Sequence, residues 1–398
     1  MTPEIKQRIE QIRRGEVPER YVKTALGLAP ANWKRYTFGD IYTERKEPGD
    51  ENLPLLMVSI HSGVSDGEVD AAELPKQVKR IEDKSQYKKA VSGDLVFNMM
   101  RAWQGAIGTV RTTGMVSPAY IVAEPNDKAY PLFMDYYSRT PQMINQIDRQ
   151  SYGVTDFRKR LYWDSFAPIS CTLPPIEEQQ KIAAILTTQD RVIELKGKRL
   201  AEKQRQKKYL MQQLLTGKKR LPGFSKEWKS VRLRNTLNVC HGQNQRNVEQ
   251  ENGVYPILGT GGEIGRTNDF LYDKPSILIG RKGSINKPMY METPFWTIDT
   301  LFYCKIKSGY HPKFLFFKFQ SINWNKYDES SGVPSLNAST IGSVDIFAPE
   351  FPEQTAIAEV LSAADREIDL LQQDIEQEKQ KKKALMQLLL TGIVRVKT

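Results

Sequence analysis

The chain has 398 residues, a hydrophobic content of 39% and a formal net charge of +11. A chain of this length usually forms two or three domains and buries enough core to fold without covalent staples. Its three scattered cysteines argue against a disulfide framework and indicate a reducing, cytoplasmic environment, and no apolar run approaches the ~20 residues of a membrane span. The basic balance favours a polyanionic partner, because each Lys or Arg placed on a phosphate releases a counterion.

The first segment, residues 1–28, is charged and lacks the apolar centre of a secretory signal peptide. We predict that it is helical. It has no full counterpart before the second domain described below. We therefore expect it to pack beside the C-terminal end of the chain and to complete the second half of the molecule.

Residues 29–172 are predicted to form a first globular domain. They are rich in Gly, Pro, Tyr, Phe and Trp, and they contain short β-type runs such as GDLVFNMM from Gly93 and PAYIVAE from Pro118. Many short strands broken by turn residues indicate a compact, β-rich domain. A glycine loop at Tyr152-Gly153-Val154 closes the domain.

A long helix is predicted within residues 173–217. It starts after a proline pair with acidic residues in its first turn, where the helix dipole favours them, and it ends at Thr216-Gly217. Apolar residues recur at the spacings of a coiled-coil seam, at Ile182, Leu186, Ile193, Leu200, Leu210 and Leu214. Lys203 and Lys207 interrupt this seam. Such residues either fix the register of a helix pair or mark a solvent-exposed end, and the sequence leaves both readings open.

Residues 218–347 are predicted to form a second β-rich domain that is framed like the first. Trp228-Lys229 opens it as Trp33-Lys34 opens the first domain, and Ser331-Gly332-Val333 supplies a second glycine loop near its end. The runs PSILIGRKG from Pro275 and DTLFYCKI from Asp299 are its clearest predicted strands.

Residues 348–398 contain a second long helix that repeats the first. LMQQLLTG ends the first helix and LMQLLLTG ends the second, and the offset 391 − 216 = 175 aligns the two stretches without a gap. The second seam is interrupted at Glu378 and Lys382. Self-similarity over this distance predicts two similar halves, and so a pseudo-twofold molecule built from one chain.

The stretches LPPIEEQQKIAAILTTQD and APEFPEQTAIAEVLSAAD, each followed by LLTG, resemble the central and C-terminal conserved regions of type I restriction–modification specificity subunits. The glycine loop that leads to LPPIEEQ and the stretch from ILIGRKGSINK to FWTIDTLFY are similar to the target recognition domains of that family. The resemblance extends over nearly the whole chain in the correct order. It implies an α/β (α+β) fold with two β-rich target recognition domains, separated by two long antiparallel helices that form a coiled coil.

The resemblance also implies a mechanism. Each target recognition domain would read one half of a bipartite site in double-stranded DNA, and the helices would set the spacer between the halves. The chain would be a non-catalytic subunit that docks methyltransferase subunits, two of them because the repeat offers equivalent surfaces twice. An endonuclease subunit is a further partner in the family. No cofactor is expected in this chain, whereas S-adenosylmethionine, ATP and Mg are implied for the partner subunits.

The motifs of catalysis lack their required context. The single Pro-Pro of the sequence has neither the Asn/Asp nor the aromatic residue of a DNA amino-methyltransferase loop, and Gly217-Lys218-Lys219 does not fit the P-loop pattern. GTGGEIG from Gly259 is followed by turn-forming residues rather than by a helix, which disfavours a dinucleotide site. Cys240-His241 has no second ligand pair, so a metal site is not expected.

Candidate DNA contacts follow from residue type and position. Arg, Lys, Asn and Gln read base edges, while phosphates are held mainly by Lys, Arg and main-chain amides. In the first domain the candidates are Arg101, Gln104, Tyr152, Arg158, Lys159 and Arg160. In the second domain they are Gln243, Asn244, Gln245, Arg246, Arg281 and Lys282. For each of them, an ordinary polar surface position is the alternative. The basic runs at 196–208 and 379–383 either face the DNA spacer or form a solvated helical face.

Two other function classes fit the same sequence. One is a coiled-coil scaffold whose globular domains bind protein, and the other is a DNA-binding regulator that acts without a methyltransferase. Salt-dependent binding to duplex DNA separates the scaffold from a specificity subunit. Co-purification with a methyltransferase separates the regulator from it.

Overall fold

The structure is a computed structural model that describes residues 3–24, 27–50, 52–65, 86–153, 155 and 159–396. It divides into two compact units. Unit 1 comprises Met1–Glu194 together with Glu376–Thr398, and unit 2 comprises Leu195–Ile375. Each unit therefore combines one globular domain with one part of each long helix.

The N-terminal segment is helical only in its first half. Helix α1 spans Pro3–Arg13, whereas β1 (Tyr21–Thr24) and β2 (Gly27–Pro30) form an antiparallel hairpin. The prediction of a helical segment over residues 1–28 is therefore wrong for its second half. Gly27 has φ +108°, a left-handed conformation that suits a turn and interrupts a helix.

This segment packs against the C-terminal end of the chain, within unit 1. The hydroxyl of Tyr21 donates to the carbonyl oxygen of Gly392 at 2.7 Å, and the guanidinium of Arg8 donates to that of Ile393 at 2.9 Å. The prediction that this segment packs beside the C-terminal end is confirmed, but the prediction that it completes the second half of the molecule is wrong. The segment completes the unit that holds the first domain, because the second long helix returns to the start of the first.

The first domain consists of short strands and short helices. Its strands are β3 (Lys34–Thr37), β4 (Tyr42–Glu44), β5 (Val58–Ser59), β6 (Gly63–Val64), β7 (Lys88–Ala90), β8 (Leu95–Asn98), β9 (Ile107–Thr109), β10 (Gly114–Val116), β11 (Tyr120–Pro125) and β12 (Ser170–Leu173). Its helices are α2 (Phe38–Ile41), α3 (Pro131–Tyr137), α4 (Pro141–Gln150) and α5 (Trp163–Phe166). The first long helix, α6, then spans Ile176–Leu214.

The second domain is built in the same way, and the second long helix follows it. Its strands are β13 (Lys229–Arg232), β14 (Leu237–Cys240), β15 (Tyr255–Gly259), β16 (Gly262–Thr267), β17 (Ser276–Gly280), β18 (Met289–Met291), β19 (Trp296–Thr297), β20 (Leu301–Ile306) and β21 (Asp345–Ala348). Its helices are α7 (Leu233–Thr236), α8 (Pro312–Ser321) and α9 (Ala338–Ser343). Helix α10 spans Phe351–Leu389.

The two domains share one sheet topology. Their four-stranded sheets have the orders β4-β11-β8-β9 and β14-β20-β17-β18, with antiparallel pairing throughout. In both sheets the first strand along the chain pairs with the fourth, the fourth with the second, and the second with the third. The opening strand of each domain also pairs with the strand just before the long helix, β3 with β12 and β13 with β21. The internal repeat thus extends to the domains, whose sequences share little beyond their framing residues.

The second strand of each sheet is buried on both faces. Leu95 and Phe97 of β8 belong to a core that also contains Leu186 of α6, whereas Val96 belongs to a separate core on the opposite face. In β17, Ile277 and Ile279 belong to one core, whereas Leu278 belongs to a separate core. Since successive side chains of a strand point to opposite faces, both strands are fixed from two sides. The turns that follow them are therefore held in place by the core.

Within each unit, a stretch of α6 pairs with a stretch of α10, and in unit 2 the two stretches run antiparallel. In unit 2, successive α6 lysines pair with α10 acids whose residue numbers fall: Lys196 with Asp374, Lys203 with Glu367, and Lys207 with Asp365. In unit 1, Asp190 pairs with Lys382, and the Gln189 amide donates to the Glu378 carboxylate at 2.7 Å. The polar residues that interrupt the predicted seam thus bond across the helix pair. The structure supports the first of the two readings, in which they fix its register.

A tryptophan, an arginine and a buried glutamate meet at the start of each long helix. The Glu178 side chain is 0% exposed, and it accepts hydrogen bonds from the Trp33 indole at 3.3 Å and from the Arg395 guanidinium at 2.7 Å. In unit 2, Glu353 accepts hydrogen bonds in the same way from Trp228 at 3.2 Å and from Arg220 at 2.6 Å. We call these groups of three the Trp–Glu–Arg clusters.

The glutamine after each of these glutamates ties the helix to its domain. The Gln179 side chain accepts the Tyr130 backbone N–H at 2.8 Å and donates to the Pro174 carbonyl at 2.9 Å. Gln354 accepts from His311 at 2.9 Å and donates to Pro349 at 2.9 Å. The repeated Glu-Gln pair is therefore a joint between helix and domain. It adds hydrogen-bonded anchoring to the favourable dipole interaction of the acidic first turn.

Candidate nucleic-acid interface

The predicted DNA contacts of the first domain lie on two segments. The second domain has an equivalent of each, although only the first of its two carries predicted contacts. The first is the strand-end turn, which follows the doubly buried strand and comprises residues 99–105 in the first domain and 281–284 in the second. The other is the glycine loop, comprising residues 151–160 and 328–335. Their ends are close together in both domains, because Leu161 donates its backbone N–H to the Met99 carbonyl and Leu336 donates its own to the Arg281 carbonyl, each at 2.9 Å.

Arg101 and Gln104 lie exposed on the strand-end turn of the first domain. The turn contains a 3₁₀ segment, Ala102–Gln104, that ends at Gly105 with φ +104°. The Trp103 indole N–H donates to the Met100 carbonyl at 3.0 Å, which closes the turn on itself. The short, internally bonded turn therefore presents the side chains of Arg101 and Gln104 to solvent.

The glycine loop of the first domain contributes Tyr152, Lys159 and Arg160. Tyr152 and Arg160 exchange two backbone hydrogen bonds of 3.0 and 3.1 Å, and the Tyr152 side chain is 58% exposed. The Lys159 ammonium bonds Asp148 at 2.8 Å and lies 5.0 Å from the centre of the Trp103 ring. The loop and the strand-end turn thus meet at Trp103. Arg158, another predicted contact, lies outside the described residues.

In the second domain, Arg281 and Lys282 also lie beside their glycine loop. Lys282 pairs with Ser335 in an isolated β-bridge, and Gly283 donates its backbone N–H to the Pro334 carbonyl at 2.8 Å. The Arg281 guanidinium donates to the Asp299 carbonyl at 3.2 Å and is partly exposed, whereas Lys282 is exposed. The arrangement repeats that of the first domain with a different set of side chains.

The segment containing Gln243, Asn244, Gln245 and Arg246 follows β14 in the second domain. The Gln243 backbone N–H donates to Thr297 at 2.8 Å, and its carbonyl accepts the Trp296 indole N–H at 2.9 Å. The Asn244 side chain accepts the Arg246 backbone N–H at 2.9 Å, so it is partly used in shaping the turn. Arg281 donates its own backbone N–H to Thr300 at 2.8 Å. Both predicted groups of this domain therefore adjoin the segment 296–300.

The basic runs on the helices contribute to the register of the helix pair, as one interpretation of the interrupted seams predicted. Lys196, Lys203, Lys207 and Lys382 form ion pairs between α6 and α10 within their units. Neither proposed alternative, a phosphate-contacting face or a solvated face, describes these four lysines. Arg199 remains 65% exposed, and Lys198 and Lys383 are also exposed.

Further side chains around these segments escaped sequence reasoning. Met100, Tyr162 and Val333 are 41%, 44% and 66% exposed beside the predicted polar contacts. The rings of Tyr162 and Tyr152 lie 5.8 Å apart. Apolar and aromatic groups contact the thymine methyl and the faces of bases. The signal that could have identified these side chains is their position in the sequence next to the predicted loops.

None of the helices among the described residues combines the length and apolar character that a bilayer-spanning helix needs. In the same part of the chain, no three His, Cys, Asp or Glu side chains come together in a group suited to a metal ion.

Comparison with known proteins identifies the family. The model of the type I restriction modification DNA specificity domain matches residues 72–204 and 225–380. The chain belongs to this family. Like other type I specificity proteins, it recognises DNA targets. The two matched segments include most of both globular domains and most of both long helices, so the match follows the internal repeat.

Curated specificity subunits are similar to this one over most of their length. The putative type I restriction enzyme MjaX specificity subunit of Methanocaldococcus jannaschii is 25% identical over 432 residues, which covers 96% of this chain and 98% of the relative. The type I restriction enzyme MjaVIII specificity subunit of the same organism is 25% identical over 358 residues, with coverage of 79% and 83%.

Solved structures of specificity subunits have the same fold. The S subunit of a type I restriction–modification system from M. genitalium superposes with a TM-score of 0.62 at 14% identity, covering 92% of this chain and 97% of that one. A chain from a structural study of complex assembly and conformational transition in the type I system gives a TM-score of 0.55 at 18% identity, with coverage of 92% and 99%. The α/β class with two β-rich domains and two long helices is thereby confirmed.

Proposed function

We propose that this specificity subunit reads a bipartite site in double-stranded DNA, with one half-site for each globular domain. The observation that carries the proposal is the duplication of the interface. Both domains hold a strand-end turn and a glycine loop side by side on the same sheet topology. The scaffold is common, and the polar side chains that it presents are different.

The difference in side chains assigns different half-sites to the domains. Arg101, Gln104 and Arg160 are available for base contacts in the first domain. Arg281 and the 243–246 segment are available in the second, where Lys282 is assigned to the phosphate backbone. Arg and Lys favour guanine, whereas Asn and Gln favour adenine, and each good bidentate contact contributes about 1–3 kcal/mol of discrimination. Two different sets of contacts on one scaffold therefore specify two different sequences.

We further propose that the subunit performs no chemistry and docks two methyltransferase subunits, with an endonuclease subunit as an additional partner. The internal repeat supports this, because it offers equivalent elements twice, as two copies of one partner require. In this proposal S-adenosylmethionine, ATP and Mg act in the partner subunits, and the long helices set the spacer between the half-sites.

The test measures DNA binding before any partner is added. The purified chain should bind duplex DNA with an affinity that falls steeply with salt, since phosphate contacts release counterions. Co-expression with candidate methyltransferase subunits, followed by mapping of methylated bases, should reveal two half-sites and a fixed spacer. Binding that does not depend on salt, or turnover of S-adenosylmethionine or ATP by the chain alone, would contradict the proposal.

A further inference from the structure

A β-hairpin abuts the strand-end turn in each domain. In the first domain the β5–β6 hairpin turns at Ile60–Ser62, and a β-carbon on Gly105 would lie 3.4 Å from the Ile60 carbonyl oxygen. In the second domain the β15–β16 hairpin turns at Thr260 and Gly261, and a β-carbon on Gly283 would lie 3.6 Å from the Thr260 hydroxyl oxygen. Each hairpin tip is thus within van der Waals range of a turn that carries predicted DNA contacts.

The two hairpins occupy equivalent places in their domains. Leu55, just before β5, bridges in parallel to Met115 of β10, and Ile257 of β15 pairs in parallel with Trp296 of β19. In both hairpins the second strand begins with a glycine of positive φ, Gly63 at +75° and Gly262 at +113°. The hairpin is therefore part of the framework that the two domains share.

Polar and packing contacts fix the base of the first hairpin within its domain. The Tyr120 hydroxyl interacts with the backbone of Val58 and with the Asn98 side chain, and burial raises the pKa of Tyr120. Asp135 is buried and pairs with Arg139 at 3.2 Å. A β-carbon on Gly63 would lie 3.1 Å from the Arg139 guanidinium. The base of the hairpin is thus packed closely while its tip stays free.

The tips differ in chemistry although their framework is the same. His61 and Ser62 are exposed at the first tip, and Thr260 is half-exposed at the second beside exposed Gly261. Imidazole and hydroxyl groups both donate and accept hydrogen bonds, and the threonine methyl group can contact that of thymine. The major groove, about 12 Å wide, admits a two-stranded β-ribbon.

We propose that these hairpin tips, His61–Ser62 and Thr260–Gly261, are sequence-reading elements of their domains. This inference rests on the proposed function. It adds a hairpin to the strand-end turn and the glycine loop as a DNA-contacting segment of each domain. His61 and Thr260 lie in different domains, so they act on different half-sites.

The experiment uses the full chain together with its methyltransferase subunits and a pool of randomised DNA duplexes. Bound duplexes are recovered and sequenced for the parent, for His61→Ala and for Thr260→Ala. The matched controls are Asp127→Ala and Ser308→Ala. Both positions are exposed and lie in the turns that follow β11 and β20, at the ends of these strands away from the hairpins. Thermal unfolding of each variant should match that of the parent, because all four side chains are at least partly exposed.

We expect His61→Ala to reduce base preference at positions of one half-site only, by roughly tenfold, and Thr260→Ala to act only on the other half-site. The controls should keep the parental preference. If the parent selects a bipartite sequence and both hairpin variants select it equally well, the hairpins do not read DNA while the proposed function stands. If the parent itself selects no sequence, the proposed function fails and this inference fails with it.

Discussion

The guanidinium of Arg395 holds the carboxylate of Glu178 through two hydrogen bonds of 2.7 Å, although 217 residues separate them along the chain. Arg220 and Glu353 repeat this relationship in unit 2 at 2.6 Å. The glutamate side chains are 0% and 3% exposed. A carboxylate at such a position is costly unless it is paired, so each arginine balances a buried charge.

Removing Arg395 should therefore destabilise unit 1. In Arg395→Met the buried Glu178 carboxylate retains the Trp33 indole as a donor but loses the guanidinium, and we expect the free energy of unfolding to fall by about 2 kcal/mol, since the arginine is itself partly exposed. Hydrogen exchange should show lost protection in β3 and β12 of unit 1. Arg220→Met should instead affect β13 and β21 of unit 2.

A second substitution tests the electrostatic explanation. Adding Glu178→Gln to Arg395→Met removes the uncompensated charge, so part of the lost stability should return. Equal loss of protection in both units after either single substitution would contradict the assignment of one cluster to each unit.

An interhelical ion pair should tolerate an exchange of its positive and negative side chains between the two helices. Asp365→Lys places a second cation beside Lys207 and should lower the stability of unit 2. Adding Lys207→Asp to the same chain restores opposite charges and should restore the stability. The coupling energy is expected to be about 1 kcal/mol, because both side chains are partly exposed. A double-mutant cycle read by urea denaturation provides the value. Glu202→Gln, which alters a pair with Arg205 within α6, is the control and should leave the helix pairing intact.

Lys318 should make the stability of unit 2 depend on pH. Its side chain donates to the Leu215 carbonyl at 2.5 Å, and burial lowers the pKa of Lys318 from 10.5 to about 8. Below pH 8 the lysine is charged in both the folded and the unfolded states, and the cost of burying the charge is fully present. Between pH 8 and 10.5 the folded protein loses the proton first, so the contribution of this residue to stability rises by about 3 kcal/mol.

The variant Lys318→Met should lack this rise. The measurement is the difference in unfolding free energy between parent and variant across the pH range, which cancels the contributions of other groups. Lys313→Met, on the same helix but more exposed, is the control and should follow the parent. A difference between parent and Lys318→Met that does not change with pH would show that the ammonium is not the titrating group.

The DNA contacts should separate by domain and by type. Arg101→Ala should relax selectivity in one half-site and Arg281→Ala in the other, because each arginine lies on the strand-end turn of its own domain. Lys282→Ala should weaken binding to all sequences and reduce the slope of log affinity against log salt by about 1, as expected for a phosphate contact. Ser308→Ala, at an exposed position outside the candidate DNA-contacting segments, is the control. A change in both half-sites after either arginine substitution would rule out independent readers.

Much of the framework could be predicted because the sequence contains it as an internal repeat. The offset of 175 that aligns the helices also aligns Glu178 with Glu353 and Arg220 with Arg395. The charged half of each Trp–Glu–Arg cluster was therefore visible in the sequence as a repeated pair. Trp33 and Trp228 differ by 195 positions, so their contacts with these glutamates follow only from folding the two domains.

Other features depend on distances that no local pattern encodes. The lysines of α6 find their partners on α10 only once the two helices are placed in register, and so their pairing could not be predicted from a basic run. The stretch GTGGEIG from Gly259 offered the glycines of a nucleotide loop, but it forms the turn of the β15–β16 hairpin. Likewise the first hairpin tip and the strand-end turn meet where Gly105 packs against Ile60, and 105 − 60 = 45 positions separate these two residues.

The division of the units has a consequence for biosynthesis. Unit 2 is one continuous stretch of chain, whereas unit 1 is completed by residues that are translated after all of unit 2. Nascent domains usually fold in the order in which they leave the ribosome. Here the first domain to emerge gains the Arg395–Glu178 contact only at the end of synthesis, whereas the residues of unit 2 are all present before it. A premature stop codon shortly before residue 395 would thus damage the domain encoded at the opposite end of the message.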